Sequence, residues 1–142
     1  MNRCCSAHCI GLLLTSLLFG LVGCGQPVGP TSGRVTFSDG APVRSGSIEF
    51  RSTVDRQRYA SRIETDGSFH PTSQDGEVGL PPGTYDVVVV QIVLTEDLAK
   101  EAHTHGGTVP RRYADYYTSG LTVEVSEQTE TVDIQVDAEG AT

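Results

Sequence analysis

Tryptophan is absent from the sequence, methionine occurs once, and three of the four cysteines lie within the first nine residues. A chain with so little methionine is a poor candidate for an adaptable, methionine-rich binding groove. The His-Glu-x-x-His pattern of zinc peptidases, the Gly-x-Ser-x-Gly turn of serine hydrolases and the glycine-rich loops that hold phosphates are also missing. We therefore expect a protein that is not an enzyme and that needs no cofactor.

Positive charge is scarce. The chain has 10 Lys and Arg against 18 Asp and Glu, and without residues 1–23 the balance is 9 against 18, a formal net charge of −9. Such an acidic surface repels phosphate backbones and anionic headgroups, so we expect neither nucleic-acid binding nor electrostatic adhesion to membranes. Beyond residue 23 there are only 4 leucines against 15 valines and 14 threonines, which favours strands over a helical bundle.

The uncharged apolar run near the N-terminus is short. Residues 10–22 contain no charge and follow Arg3. Thirteen residues of helix span about 20 Å, well below the roughly 30 Å hydrocarbon core of a bilayer. Residues 1–23 are therefore interpreted as a secretion signal peptide and not as a membrane span.

Cys24 follows this run in Leu21-Val22-Gly23-Cys24, a segment that resembles the bacterial lipobox. The resemblance implies cleavage before Cys24 and a thioether-linked lipid on its sulfur that carries acyl chains of the palmitate type, as in a lipoprotein. Without the signal peptide Cys24 is the sole cysteine, which leaves no disulfide and no cysteine metal site. Residues 24–30 are then the lipidated cysteine and a short tether. The alternative is an uncleaved signal anchor with a free thiol.

From residue 31 onward, apolar and polar residues alternate, and clusters of Gly, Pro and Asp interrupt the pattern about every ten residues. This pattern predicts an all-β fold, a single antiparallel sandwich of about seven strands over residues 31–137, transthyretin-like or immunoglobulin-like. Residues 71–79 are predicted to form a loop. Residues 121–125 and 132–136 are predicted to form the final hairpin. Residues 138–142 are the C-terminal tail.

Residues 85–94 break the alternation, because Val, Ile and Leu follow one another almost without interruption. A run that can be buried on both faces predicts a central strand. A short helical insertion is predicted near residues 95–103, where Thr95 can cap the helix and two acids occupy the first turn.

Four segments carry a resemblance to a known family. They are Ser32-Gly33-Arg34-Val35-Thr36, Gly46-Ser47-Ile48-Glu49-Phe50, Thr65-Asp66-Gly67-Ser68-Phe69 and Leu80-Pro81-Pro82-Gly83-Thr84-Tyr85-Asp86-Val87. In this order they resemble the carboxypeptidase regulatory-like domain, a transthyretin-like sandwich, over residues 31–137. Residues 110–113 and 119–123 are similar to small bacterial lipoproteins of this group. The resemblance implies a sandwich without catalytic activity.

His103 and His105, with Glu101 nearby in the sequence, are the candidates for a metal site. Two imidazoles and a carboxylate suit zinc or copper. However, a loop flanked by two glycines is a poor template for fixed coordination, and a His-x-His pair in a solvated loop is usually only polar. We therefore expect no bound metal.

Arg111, Arg112, Tyr113, Tyr116 and Tyr117 are the candidate interaction surface, because arginine and tyrosine are enriched at the centres of protein interfaces. In the alternative interpretation, Tyr113 and one neighbour pack over an open end of the sandwich while the arginines offset nearby acids. The two interpretations are compatible.

These features lead to three functional hypotheses. The first is a non-enzymatic, lipid-anchored β-sandwich of the cell envelope, on the periplasmic or surface face, that contacts an envelope protein or a polysaccharide. Gly25 in place of aspartate favours the outer membrane, by analogy with lipoprotein sorting rules. The alternatives are a metal-binding envelope protein that uses His103 and His105, and a structural subunit that assembles through exposed edge strands.

Mass spectrometry of the N-terminus tests the anchor. We expect the mature chain to begin at Cys24 and to carry acyl chains, and Cys24→Ala to gain no acyl mass. Cys9→Ala is the matched control, because its cysteine lies inside the signal peptide and its processing should match that of the native chain. A native chain that begins at Met1 without an acyl group would contradict the prediction.

Overall fold

Two β-sheets pack face to face in the computed structural model, which describes residues 27–91 and 107–139. One sheet has the strand order β4-β1-β8 and the other the order β5-β3-β2-β6-β7. The strands are β1 (Gly33–Phe37), β2 (Gly46–Ser52), β3 (Arg58–Ile63), β4 (Ser68–Phe69), β5 (Thr72–Ser73), β6 (Gly83–Val90), β7 (Leu121–Val125) and β8 (Val132–Val136). This arrangement confirms the predicted all-β sandwich.

Several sequence predictions lie outside the described residues. They are the signal peptide 1–23, the lipidation site Cys24, the helical insertion 95–103, the metal candidates Glu101, His103 and His105, and the last residues of the C-terminal tail. The predicted central strand reached residue 94, and residues 92–94 are likewise outside. No helix among residues 27–91 and 107–139 is long and apolar enough to cross a bilayer.

The core lies between the two sheets and is built from the apolar positions of the alternating strands. Alternate side chains of a strand point to opposite faces, so Ile48 and Phe50 face inward from β2 and both are fully buried. The Phe50 ring lies 5.5 Å from that of Phe69 in the other sheet, between ring centroids, and Tyr85 meets Phe50 edge-on at 6.5 Å. Contacts of this kind add to the free energy gained by burying the rings.

The β6 strand carries the predicted run of valines, and it lies inside the five-stranded sheet between β2 and β7. Val87 and Val89 face the core, and Val88 on the opposite face is only 8% exposed. A short 3₁₀ helix, Arg111–Ala114, packs against β6. The run is therefore buried on both faces from Val87 to Val89, whereas Val90 at its end is exposed.

The predicted final hairpin is wrong. β7 pairs antiparallel with β6, whereas β8 lies in the other sheet and pairs parallel with β1. Residues 126–131 carry the chain from one sheet to the other. Alternation specifies which side chains of a strand face inward, but it does not specify the neighbouring strand. The predicted loop 71–79 also contains the two-residue strand β5, which pairs with β3.

The strand registers divide the connections between two ends of the sandwich. Gly83 at the start of β6 lies beside Val125 at the end of β7, and Ser52 at the end of β2 lies beside Tyr85. The end that we call the Val28 end comprises residues 27–32, 53–57, 74–83 and 126–131. The opposite end comprises residues 38–45 and 64–67 together with Gln91.

Residues 28–30, which the sequence assigned to the tether, are part of the folded body. The Val28 amide donates to the Val78 carbonyl at 3.0 Å, and the Leu80 amide donates to the Pro30 carbonyl at 3.1 Å. A Cβ at Gly29 would collide with the Leu80 carbonyl oxygen, so this close approach requires glycine. The tether predicted from the sequence therefore ends before Val28.

Tyr85 makes the stability of the fold decrease as pH rises through the alkaline range. Its hydroxyl donates to the Pro81 carbonyl at 2.7 Å, and burial raises the pKa of Tyr85 to about 12. The unfolded value is about 10, so the stabilisation is complete below pH 10 and is lost as pH rises towards 12. The difference between a pKa of about 10 in the unfolded chain and about 12 in the folded one corresponds to about 2–3 kcal/mol of unfolding free energy.

Urea denaturation at several pH values measures this effect. We expect Tyr85→Phe to flatten the loss of unfolding free energy between pH 10 and 12, and to cost about 1 kcal/mol at pH 7 for the lost hydrogen bond. Some loss should remain in the variant, because burial also raises the pKa of Tyr59. A pH dependence identical to that of the native chain would show that Tyr85 is not the cause.

Candidate functional site

Residues 109–117, the segment that contains the candidate interaction residues, lie beside β6 past the point where its pairing with β7 ends. The β7 strand pairs with β6 only from Gly83 to Val87, whereas β6 continues to Val90. The 3₁₀ helix packs beside β6, and the Val109 amide donates to the Gln91 side chain at 2.8 Å. The segment thus covers a part of the sandwich that no strand of the described chain covers.

Tyr113 and Arg112 face Asp137, which follows β8. Tyr113 is 6% exposed, its hydroxyl donates to Asp137 Oδ2 at 3.1 Å, and the hydroxyl oxygen accepts the Asp137 amide at 3.2 Å. The Arg112 guanidinium lies 2.6 Å from Asp137 Oδ2 and 4.5 Å from the centroid of the Tyr113 ring. These contacts bind the segment to the three-stranded sheet and leave Tyr113 with little surface for a partner.

Tyr116 lies on the outer face of the five-stranded sheet. Its ring stacks on the Arg51 guanidinium at 3.8 Å, and its hydroxyl donates to Glu49 Oε1 at 2.7 Å. Burial, together with the hydrogen bond to Glu49, holds the pKa of Tyr116 well above its usual value. The phenol is therefore neutral at physiological pH and acts as a hydrogen-bond donor, not as a base.

Four charged residues surround Tyr116, and with it they form what we call the Arg51 cluster. Arg51 bonds Asp86 at 3.0 Å, with side chains 17% and 29% exposed. Arg58 Nη1 lies 3.6 Å from Glu49 Oε1. The register explains these pairs, since Arg51 lies between Arg58 on β3 and Asp86 on β6. The members are Glu49, Arg51, Arg58, Asp86 and Tyr116.

None of the four charged members of the cluster was among the residues predicted from the sequence. The signal that could have found two of them is the alternation itself, because burial of Ile48 and Phe50 turns Glu49 and Arg51 to the opposite face. Asp86 and Arg58 join them only through strand pairing. The cluster contains equal numbers of positive and negative side chains, so it offers a partner hydrogen bonds and a cationic stack, not a large net charge.

Arg111, Arg112 and Tyr117 are the members of the candidate interaction surface that are exposed to solvent, and of these Arg112 is held by Asp137. The Tyr117 side chain is 89% exposed. Its backbone is nevertheless held, because its amide donates to Asp115 Oδ1 at 2.7 Å and the Thr118 hydroxyl donates to the Arg112 carbonyl at 2.7 Å. An exposed aromatic ring on a hydrogen-bonded turn loses little backbone entropy when it binds a partner.

The chemistry of the described part of the chain gives no ligand set for a metal. Residues 27–91 and 107–139 contain no group of three or more His, Cys, Asp or Glu side chains close enough to hold an ion. Comparison of the chain with family models, with curated proteins and with solved structures finds no match.

Chemical denaturation of the chain without residues 1–24 tests the Arg51 cluster. Tyr116→Phe should lower the free energy of unfolding by about 1 kcal/mol, since it removes the hydrogen bond to Glu49 but keeps the stack on Arg51. Tyr116→Ala should cost about 1 kcal/mol more, because the stack is also lost. Tyr117→Phe is the matched control and should change stability by less than about 0.5 kcal/mol. Equal effects at positions 116 and 117 would refute the assignment.

Proposed function

We propose that the protein is a lipid-anchored β-sandwich of the cell envelope that catalyses no reaction and contacts an envelope protein or a polysaccharide. The resemblance of the sequence to carboxypeptidase regulatory-like domains supports the class of protein, and the all-β fold agrees with it. The lipobox-like segment that ends at Cys24 supports the anchor and a periplasmic or surface location. Gly25 favours the outer membrane.

The observation that carries the interaction role is the exposed ring of Tyr117 beside a preformed polar and aromatic surface. Tyr116 is held by Arg51 and Glu49 directly before Tyr117 in the chain. Tyrosine supplies a large contact area at a low entropic cost, and arginine supplies several directed donors. Rings of this kind can stack on sugar faces or enter a pocket of a protein.

Edge strands favour a second candidate, a structural subunit. Among the described strands, β7 pairs only with β6 and β8 pairs only with β1, so each is one of the two outer strands of its sheet. An outer strand presents unpaired backbone groups that can join another chain. Glu124 and Asp133 on these strands are exposed acids, and charges on outer strands oppose such pairing. We therefore rank this role below contact through Tyr117.

A photoreactive benzophenone amino acid at position 117 tests the proposal in intact cells. We expect a discrete crosslinked product, either a protein adduct or an adduct whose mass falls after glycosidase treatment. Gln135, an exposed position on β8, is the matched control and should give no such product. Crosslinks at 135 but not at 117, followed by sedimentation of the purified chain as a multimer, would instead support the structural subunit.

The double variant Arg111→Ala and Tyr117→Ala tests whether this surface is needed for contact with the crosslinked partner. The two side chains are exposed, so the double variant should fold normally. With the benzophenone amino acid placed at a neighbouring exposed position, recovery of the crosslinked partner should fall at least tenfold in the double variant. Unchanged recovery would refute the role of this surface.

A further inference from the structure

The Val28 end of the sandwich gathers most of the exposed apolar side chains. The large hydrophobic residues that lie open among the described residues are Val28, Val54, Val78, Val90 and Tyr117. The first three belong to the Val28 end, and Val54, at the turn between β2 and β3, is 88% exposed. The Val28 amide also donates to the Val78 carbonyl, so these two exposed valines are neighbours at this end.

Chain length limits how far this end can lie from Cys24. Val28 is bonded to the sandwich and lies only four positions after Cys24 in the sequence. Even fully extended, four residues reach only about 14 Å. The eight residues of β6 alone span about 26 Å between the two ends. An acyl group on Cys24 therefore keeps the Val28 end close to the bilayer and keeps the opposite end away from it.

We propose that the Val28 end is seated on the bilayer that holds the anchor, with the Val54 side chain in the membrane interface. The inference rests on the proposed lipid anchor and adds an orientation to it. The apolar residues Val28, Val54 and Val78 supply the contact, and the anchor supplies the attachment.

The charges of this end show that seating is not electrostatic. Its described loops carry five acids and one arginine, namely Asp55, Asp75, Glu77, Glu127, Glu130 and Arg56. Such a surface is repelled by anionic headgroups and is not drawn to the membrane by charge. The seating should therefore persist in 0.5 M salt, which would abolish attraction between exposed charges.

A fluorescent probe on a single introduced cysteine tests the orientation. The acylated mature product, cleaved before Cys24, carries no other free thiol once Cys24 is a thioether, so Val54→Cys and Ser38→Cys can each be labelled with an environment-sensitive dye. Both side chains are exposed, and Ser38 lies at the opposite end. The acylated chains are purified and reconstituted in phosphatidylcholine vesicles that contain a lipid spin-labelled near the headgroup.

We expect the dye at position 54 to shift its emission to the blue and to be quenched at least threefold more strongly than the dye at position 38. The quenching should be unchanged in 0.5 M salt. Equal quenching at both positions, stronger quenching at position 38, or no quenching at position 54 would overturn the proposal.

The same samples separate this inference from the proposed anchor. Mass spectrometry of each labelled chain reports whether Cys24 is acylated. An acylated chain without quenching at position 54 refutes only the seating of the Val28 end. A chain that is recovered from membranes without acyl groups refutes the anchor itself and, with it, the orientation that depends on it.

Discussion

The contact between Phe50 and Phe69 joins the two sheets, and the arrangement of the rest of the molecule depends on it. Phe50 lies in β2, the middle strand of the five-stranded sheet, and Phe69 lies in β4 of the other sheet. Tyr85 on the next strand completes the group through its edge-on contact with Phe50. Once these rings are buried, every neighbouring residue of β2 and β6 has a defined face. The core thereby specifies the surface as well as the interior.

The consequence for the surface is clearest at the residues beside Phe50. Glu49 and Arg51 must face outward, and there they meet Asp86 and the ring of Tyr116. The segment that supplies Tyr116 also supplies Tyr113, which packs against the core and bonds Asp137. One segment therefore has two roles. It covers β6 where β7 ends, and it holds Tyr117 in an exposed position beside the cluster.

Particular elements show how much of the fold and of the candidate site the sequence predicts. The alternation in residues 46–52 and the valine run from residue 87 were sufficient to predict a sandwich with a buried strand. The pairing of residues 121–125 with residues 132–136 was predicted wrongly, because a short connection between two alternating segments does not reveal that they belong to different sheets. Arg111 to Tyr117 were selected from composition alone, and composition could not separate buried Tyr113 from exposed Tyr117.

The sequence by itself determined the all-β class, the inward faces of the strands and the acidic balance of the chain, because these follow from residue type and from a period of two along each strand. Only the tertiary structure decided that β8 lies parallel to β1, that Arg51 meets Tyr116 and Asp86, and that Val28 is bonded to the loop before Leu80. These are contacts between residues far apart in the chain. They depend on which strands become neighbours, and that choice is made by packing the whole core at once.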